Sequence, residues 1–246
     1  MKPFGNIFCI DLTHKQVAVQ PFTKVLAERV LGGFGFNTWY LYHHLPHHTR
    51  ALGPENILVI SRGLLTGSAT PASARTHISA KSPLSGLMGS SNVGGHIGAH
   101  MQSLGVAAML IHGTAGRPVA LLADESGVSF RSAEDIWGLD TRAMESVLRQ
   151  GRDTRRTEIL SIGVAGENQV PFTCIMNGLD HASGRTGLGA VMGSKNLKAI
   201  VVAGIRKRAA SSPAIRERVR DYARKKGSSP FLKKGSKGVK SILDFF

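Results

Sequence analysis

Short runs of β-branched and apolar residues, bounded by turn residues, recur along the chain. They predict strands over 6–12, 16–20, 57–61, 76–80, 108–112, 119–123, 158–163, 170–176 and 198–203. Helix-compatible spacing of apolar positions is confined to 23–31, 37–44, 95–104 and 141–150. A further helix is expected after Ser212-Pro213, an N-cap and an N1 proline ahead of Ile215, Val219 and Tyr222. Strands outnumber helices and do not alternate strictly with them, a pattern of the α+β class rather than of a doubly wound sheet. The pattern weakens after Gly204, so 1–205 reads as one domain and 206–246 as a basic segment that begins another.

Composition sharpens this picture in three places. With 246 residues, 42% of them hydrophobic, the chain can bury a core. Its two cysteines, Cys9 and Cys174, are too few for a disulfide framework or a four-thiolate cluster cage. The apolar start Ile7-Phe8-Cys9-Ile10 is cut by Asp11, and no run approaches the roughly 18 apolar residues of a membrane span, which leads to a cytoplasmic assignment with no membrane partner.

The formal charge is +15, but 13 Lys+Arg and 3 acids fall within 206–246, so most of the excess sits in the tail. A polyanion or nucleic-acid binder acting through 206–240 is the alternative reading. The lack of interleaved aromatics and the interruptions at Glu217 and Asp221 argue against it.

Two stretches of the body, 56–123 and 181–216, contain no Asp or Glu and are rich in glycine. Glycine lets backbone N–H groups approach a ligand, and the absence of carboxylates removes the repulsion that a phosphate would meet. With Arg75, Lys81, Arg185 and Lys195 in these stretches, an anionic ligand is expected; tight loops between strands are the competing explanation.

Familiar motifs fail on spacing. Gly33-Phe34-Gly35 lacks the third glycine of a dinucleotide fingerprint, and Gly193-Ser194-Lys195 inverts the order of a phosphate-binding loop. His43, His44, His47 and His48 are dense, but Pro46 breaks the helix that would align them as metal ligands, and His96 with His100 lacks a third ligand. No pair of carboxylates is spaced as a general acid and base, so no catalytic residue is assigned.

Several segments, in order, carry a resemblance. They are Leu31-Gly32-Gly33, Gly53-Pro54-Glu55-Asn56, Gly63-Leu64-Leu65-Thr66-Gly67, Arg75, Lys81-Ser82-Pro83-Leu84-Ser85-Gly86 and Asn92-Val93-Gly94-Gly95. Ile136-Trp137-Gly138, Gly163-Val164-Ala165-Gly166-Glu167-Asn168 and Gly189-Ala190-Val191-Met192-Gly193-Ser194-Lys195-Asn196-Leu197-Lys198-Ala199-Ile200 continue it. Over 1–205 the chain resembles the N-terminal domain of the tungsten-containing aldehyde ferredoxin oxidoreductase family.

The resemblance implies an internally duplicated α+β base with mixed sheets, on which a tungsten or molybdenum bis-pterin cofactor rests with its phosphates bridged by Mg²⁺. It places cofactor contacts at Arg75, Asn92, Gly94, Ala182, Gly184 and Arg185, with Asn92 and the Ala182 carbonyl holding Mg²⁺ or phosphate. Phe34 and His181 stand where family members often carry Arg. The resemblance further implies that the [4Fe–4S] cluster and the path to ferredoxin, or another electron carrier, belong to domains this chain lacks. The chain then reads as the truncated first third of an aldehyde-oxidising oxidoreductase, inactive alone and completed by further domains supplied as a second chain. A cofactor-free partner subunit is the remaining alternative.

Overall fold

The computed structural model describes residues 4–68, 70, 72–204 and 213–227, the last stretch with side chains to Arg224. In the first half, β1 (Asn6–Asp11) and β2 (Gln16–Pro21) form a hairpin, followed by α1 (Lys24–Val30) and α2 (Gly33–His44). Then come β3 (Leu58–Arg62), β4 (Thr76–Lys81), β5 (Met88–Val93), α3 (Ile97–Ser103) and β6 (Val106–His112). These strands make one sheet in the order β2-β1-β6-β3-β4-β5.

The second half repeats the scheme. It runs β7 (Val119–Asp124), β8 (Gly127–Ser132), α4 (Thr141–Arg149), a 3-10 turn (Thr154–Arg156), β9 (Thr157–Ser161), α5 (Val164–Glu167), β10 (Ile175–Asn177), β11 (His181–Ser183), α6 (Leu188–Ser194) and β12 (Leu197–Ala203). Its sheet order, β8-β7-β12-β9-β10-β11, matches the first term by term. In each sheet one pair is parallel, β1 with β6 and β7 with β12, and every other pair is antiparallel. Even the irregularity repeats: β6 skips Ala107 against β1, and β12 skips Lys198 against β7. The fold is therefore α+β, with two mixed sheets produced by an internal duplication.

The strands at the centre of each sheet are buried on both faces, so their alternate residues feed different cores. Leu58 and Ile60 of β3, Met109 and Ile111 of β6, Leu121 of β7 and Ile200 and Val202 of β12 face a shared central core. Ile97 and Met101 of α3 and Leu188, Val191 and Met192 of α6 fill that core. On the outer face of the first sheet, Val59, Ala108 and Leu110 pack with Phe22, Ala27, Phe36 and Leu41 around α1 and α2. On the outer face of the second, Ala120, Ile159, Ala199 and Val201 pack on Met144 and Leu148 of α4.

Local chemistry explains most element ends. Thr23 caps α1 by accepting from the Leu26 N–H at 3.2 Å, and Asp140 caps α4 through Ala143 N–H at 2.8 Å. Leu31 then enters the left-handed region, with Gly32 and Gly33 following at positive φ, so the chain turns sharply from α1 into α2. A Cβ at Gly35 would run into the Val30 carbonyl, which is why this corner carries glycine. Consequently α2 begins at Gly33, earlier than the 37–44 expected from apolar spacing.

Three strands go beyond those expected from the apolar runs. Met88–Val93, Gly127–Ser132 and His181–Ser183 are polar or glycine-containing outer strands, formed because a neighbour offers its ladder. The strand expected at 170–176 is reduced to Ile175–Asn177; the Val170 N–H bonds back to Ala165 and the Thr173 N–H to Val170, making turns. The helix after Pro213 is present as α7 (Pro213–Gly227), while its expected cap Ser212, and the rest of the basic segment at 206–212 and 228–246, lie outside the described residues. Among the described residues no helix is long and apolar enough to cross a membrane.

Candidate functional site

The antiparallel pairing of β4 with β5 sets His77 opposite Asn92 and Ser79 opposite Ser90. Because side chains alternate along a strand, Arg75, His77 and Ser79 share one face with Gly94, Asn92 and Ser90. α2 crosses this face, bringing the Phe34 ring to 6.1 Å from His77 and the Asn37 amide to 3.0 Å from Ser79 Oγ.

β5 ends the first sheet as β11 ends the second, and the two outer strands come together. Asn177 Nδ2 donates to the Gly94 carbonyl at 2.8 Å, and Ser82 Oγ donates to the Thr186 carbonyl at 2.8 Å. Between them lies an open cleft of about 690 Å³.

Arg75, Asn92, Ala182, Gly184 and Arg185 line that cleft, and Phe34, His77, Ser90 and Ser91 complete its wall. Gly94 adjoins it: a Cβ there would sit 3.1 Å from His181 Nδ1 and 3.4 Å from Arg75 Nη1. All six residues singled out in the sequence are thus brought together. Among the described residues no Asp or Glu reaches the lining. Among the described residues neither the Arg75 nor the Arg185 guanidinium makes an ion pair or a side-chain hydrogen bond within the chain, so both have their full fork of donors available. Burial holds the His77 imidazole below its ordinary value, which leaves it neutral at pH 7. Beside the cleft, Thr76 Oγ1, Ser183 Oγ and Asn177 Oδ1 are buried without partners.

The other two cations of the carboxylate-poor stretches serve the scaffold instead. Lys81 Nζ donates to the His47 carbonyl at 2.5 Å. Lys195 is fully buried, donating to the carbonyls of Gly113 at 3.1 Å and Pro54 at 3.3 Å, and desolvation lowers its pKa to about 8.

Much of the second glycine stretch is likewise packing. A Cβ at Gly193 would collide with the Gly166 carbonyl, and one at Gly187 with the Pro171 carbonyl. The histidine clusters gather no ligand set: His44 stacks on Tyr40 at 4.3 Å, and His100 is buried with Nδ1 3.1 Å from the Arg156 carbonyl. Among the described residues no three His, Cys, Asp or Glu side chains could together hold a metal ion.

Residue spacing alone missed His77, Ser90 and Ser91. The first two were within reach of it, since they lie two positions from Arg75 and Asn92 on strands whose alternate residues share a face.

What the arrangement can do chemically is bind an acceptor-rich, negatively charged group between two sheet edges. The family model described as the aldehyde ferredoxin oxidoreductase N-terminal domain matches residues 7–204. The tungsten-containing aldehyde ferredoxin oxidoreductase of Pyrococcus abyssi is 38% identical over 201 residues, 82% of this chain and 33% of its own length. The aliphatic sulfonate oxidoreductase, WOR-like subunit, of Pyrococcus furiosus is 32% identical over 215 residues, 81% of this chain and 34% of its own. Among solved structures, the active-site complex BamBC of benzoyl coenzyme A reductase, in complex with 1,5-dienoyl-CoA, superposes with a TM-score of 0.85 at 29% identity, covering 93% of this chain and 35% of the other. The chain spans about a third of the length of the relatives it matches.

Proposed function

The chain belongs to the aldehyde ferredoxin oxidoreductase family, matching its N-terminal domain, and from that premise we propose that its cleft holds the phosphate-bearing part of a tungsten or molybdenum bis-pterin cofactor. The observation that carries this reading is the convergence of Arg75 and Arg185 on a cleft where, among the described residues, neither has an ion-pair partner and no carboxylate lines the wall. That donor set suits the group: guanidinium forks match phosphate oxygens, and Gly94 and Gly184 leave room for close backbone approach. Asn92 and the Ala182 carbonyl supply neutral oxygens for a Mg²⁺ that takes its remaining ligands from phosphate and water.

When bound, the metal–pterin group supplies two-electron redox chemistry at an aldehyde or related oxo carbon. This chain's residues bind and orient that group and neutralise its phosphates. The net reaction of the complete enzyme is RCHO + H₂O ⇌ RCOOH + 2 e⁻ + 2 H⁺, with electrons passing through a [4Fe–4S] cluster in further domains to ferredoxin in the cytoplasm. Residues 1–205 form the cofactor-binding unit and 206–246 lead into the next domain.

The test supplies the remaining domains of a relative as a second chain in a host that makes the pterin, then measures metal by mass spectrometry and pterin by fluorescence. Cofactor is expected in the complex and absent from the isolated chain, and Arg75→Gln with Arg185→Gln should lower it about tenfold or more. Undiminished cofactor in that double variant would overturn the assignment.

A further inference from the structure

A hydrogen-bonded chain runs from the outer core of the first half to the wall of the cleft. The Asn37 side chain is fully buried, and its Nδ2 donates to the His77 carbonyl at 3.2 Å and to Ser79 Oγ at 3.0 Å. A main-chain carbonyl can only accept, so the amide is held with its nitrogen toward β4. Its Oδ1 in turn accepts from Ser61 Oγ at 2.5 Å. Ser79 is also fully buried, and Ser90 Oγ lies 3.0 Å from its hydroxyl.

Polarity now propagates. Ser79 Oγ accepts from an amide nitrogen that has no lone pair to offer back, so its proton goes to Ser90 Oγ. With one lone pair taken, Ser90 keeps its own proton for a partner in the cleft that it lines.

From this geometry we infer that Ser90 is a further ligand-binding residue: a hydroxyl whose proton the buried Asn37–Ser79 pair leaves free to donate toward an oxygen-rich anionic group held between Arg75 and Arg185. The assignment rests on the phosphate-binding reading of the cleft and adds the sense in which one wall of it is polarised. Buried polar groups with complete partners fix orientation, because breaking any link strands a group out of water. The ligand class it serves is one that presents acceptor atoms at this wall, such as a fully ionised phosphate ester oxygen.

Sulfate and hydrogen phosphate separate the two senses, since both are dianions at pH 8 and only the second carries a proton to donate. Calorimetric titration of the 246-residue chain with each is the measurement. Ser90→Ala is expected to weaken both anions about equally, roughly tenfold, the loss of one hydrogen bond to a charged group. Ser90→Thr, which keeps the hydroxyl, should restore binding. Ser79→Ala removes the donor that keeps the Ser90 proton turned away from β4 and should weaken both anions several-fold. Loss of hydrogen phosphate alone in Ser90→Ala, or undiminished binding of both anions in Ser79→Ala, would overturn the inferred polarity. Binding that Arg75→Gln abolishes but Ser90→Ala leaves intact removes Ser90 while sparing the cleft. If neither anion binds the unmodified chain, the cleft reading falls and Ser90 with it.

Discussion

The two halves of this molecule build one sheet order twice, yet they bury opposite kinds of residue at corresponding places. Where β6 bulges, the first half inserts Ala107, an apolar part of its outer core. Where β12 bulges, the second half inserts Lys198, whose fully buried ammonium pairs with Glu167 and donates to the Leu139 carbonyl at 2.8 Å. Glu167 also accepts the Gly138 N–H at 3.0 Å, so one carboxylate ties β12, α5 and the turn before α4 together. The first half reverses the choice under its helix. There α2 adds Asn37, bonded to Ser61 of β3 and Ser79 of β4, to the apolar Phe36 and Leu41 that cover the sheet, whereas α4 covers its sheet with Met144 and Leu148. Topology thus tolerates either content, and what differs is the use: the second half's polar pair is a brace, while the first half's polar set leads to the cleft.

The most severe way to break this contrast is to remove one partner of the brace. Lys198→Ala should lower the unfolding free energy by about 3–5 kcal/mol, because Glu167 is left charged and buried without a counter-ion. Denaturant unfolding reads the loss. Converting both, as Lys198→Met with Glu167→Gln, should cost clearly less than the single change, bringing the second half closer to the apolar arrangement at Ala107.

A smaller effect is expected under α2. Asn37→Leu removes the amide that satisfies the His77 carbonyl and Ser79, at a cost of about 1–3 kcal/mol for stranded buried groups. A change within a few tenths of a kcal/mol of zero would show that the polar set is not structural and acts on the cleft alone.

The gentlest test concerns the seam between the halves, where Lys195 bonds to the Gly113 and Pro54 carbonyls. Its pKa is about 8 in the folded protein against 10.5 for an ordinary lysine, so between those values the unfolded chain binds more protons. Stability should therefore rise with pH across that window, and this contribution is lost as pH falls through about 8. Lys195→Met should flatten the rise in thermal melts taken from pH 8 to 10.

Much of the cleft was legible in the chain because absence is as readable as presence. The carboxylate-poor stretches point to an anion site through Arg75 and Arg185; Asn92, Gly94, Ala182 and Gly184 come only from the family resemblance, and all six meet at one place. Lys81 and Lys195 carry the same charge in the same stretches yet serve as braces, since charge alone does not say which main-chain carbonyls lie within reach. Ser90 and His77 escaped notice for a different reason. His77 sits on a strand expected from its apolar run but gains a cleft to face only when β5 pairs beside it, and β5, which carries Ser90, reads as a polar loop until β4 is beside it.

By itself the sequence determined the local vocabulary: apolar runs for the central strands, Thr23 and Asp140 as helix caps, and the motif glycines. Those are set by covalent geometry and short-range hydrogen bonding, which need only neighbours along the chain. Only the tertiary structure decided that β5 and β11 meet, that Lys198 occupies the place of Ala107, and that Ser90 lines the cleft with Arg75 and Arg185. Each of those depends on groups far apart in sequence whose burial together excludes water, and it is the loss of water that makes their pairing obligatory.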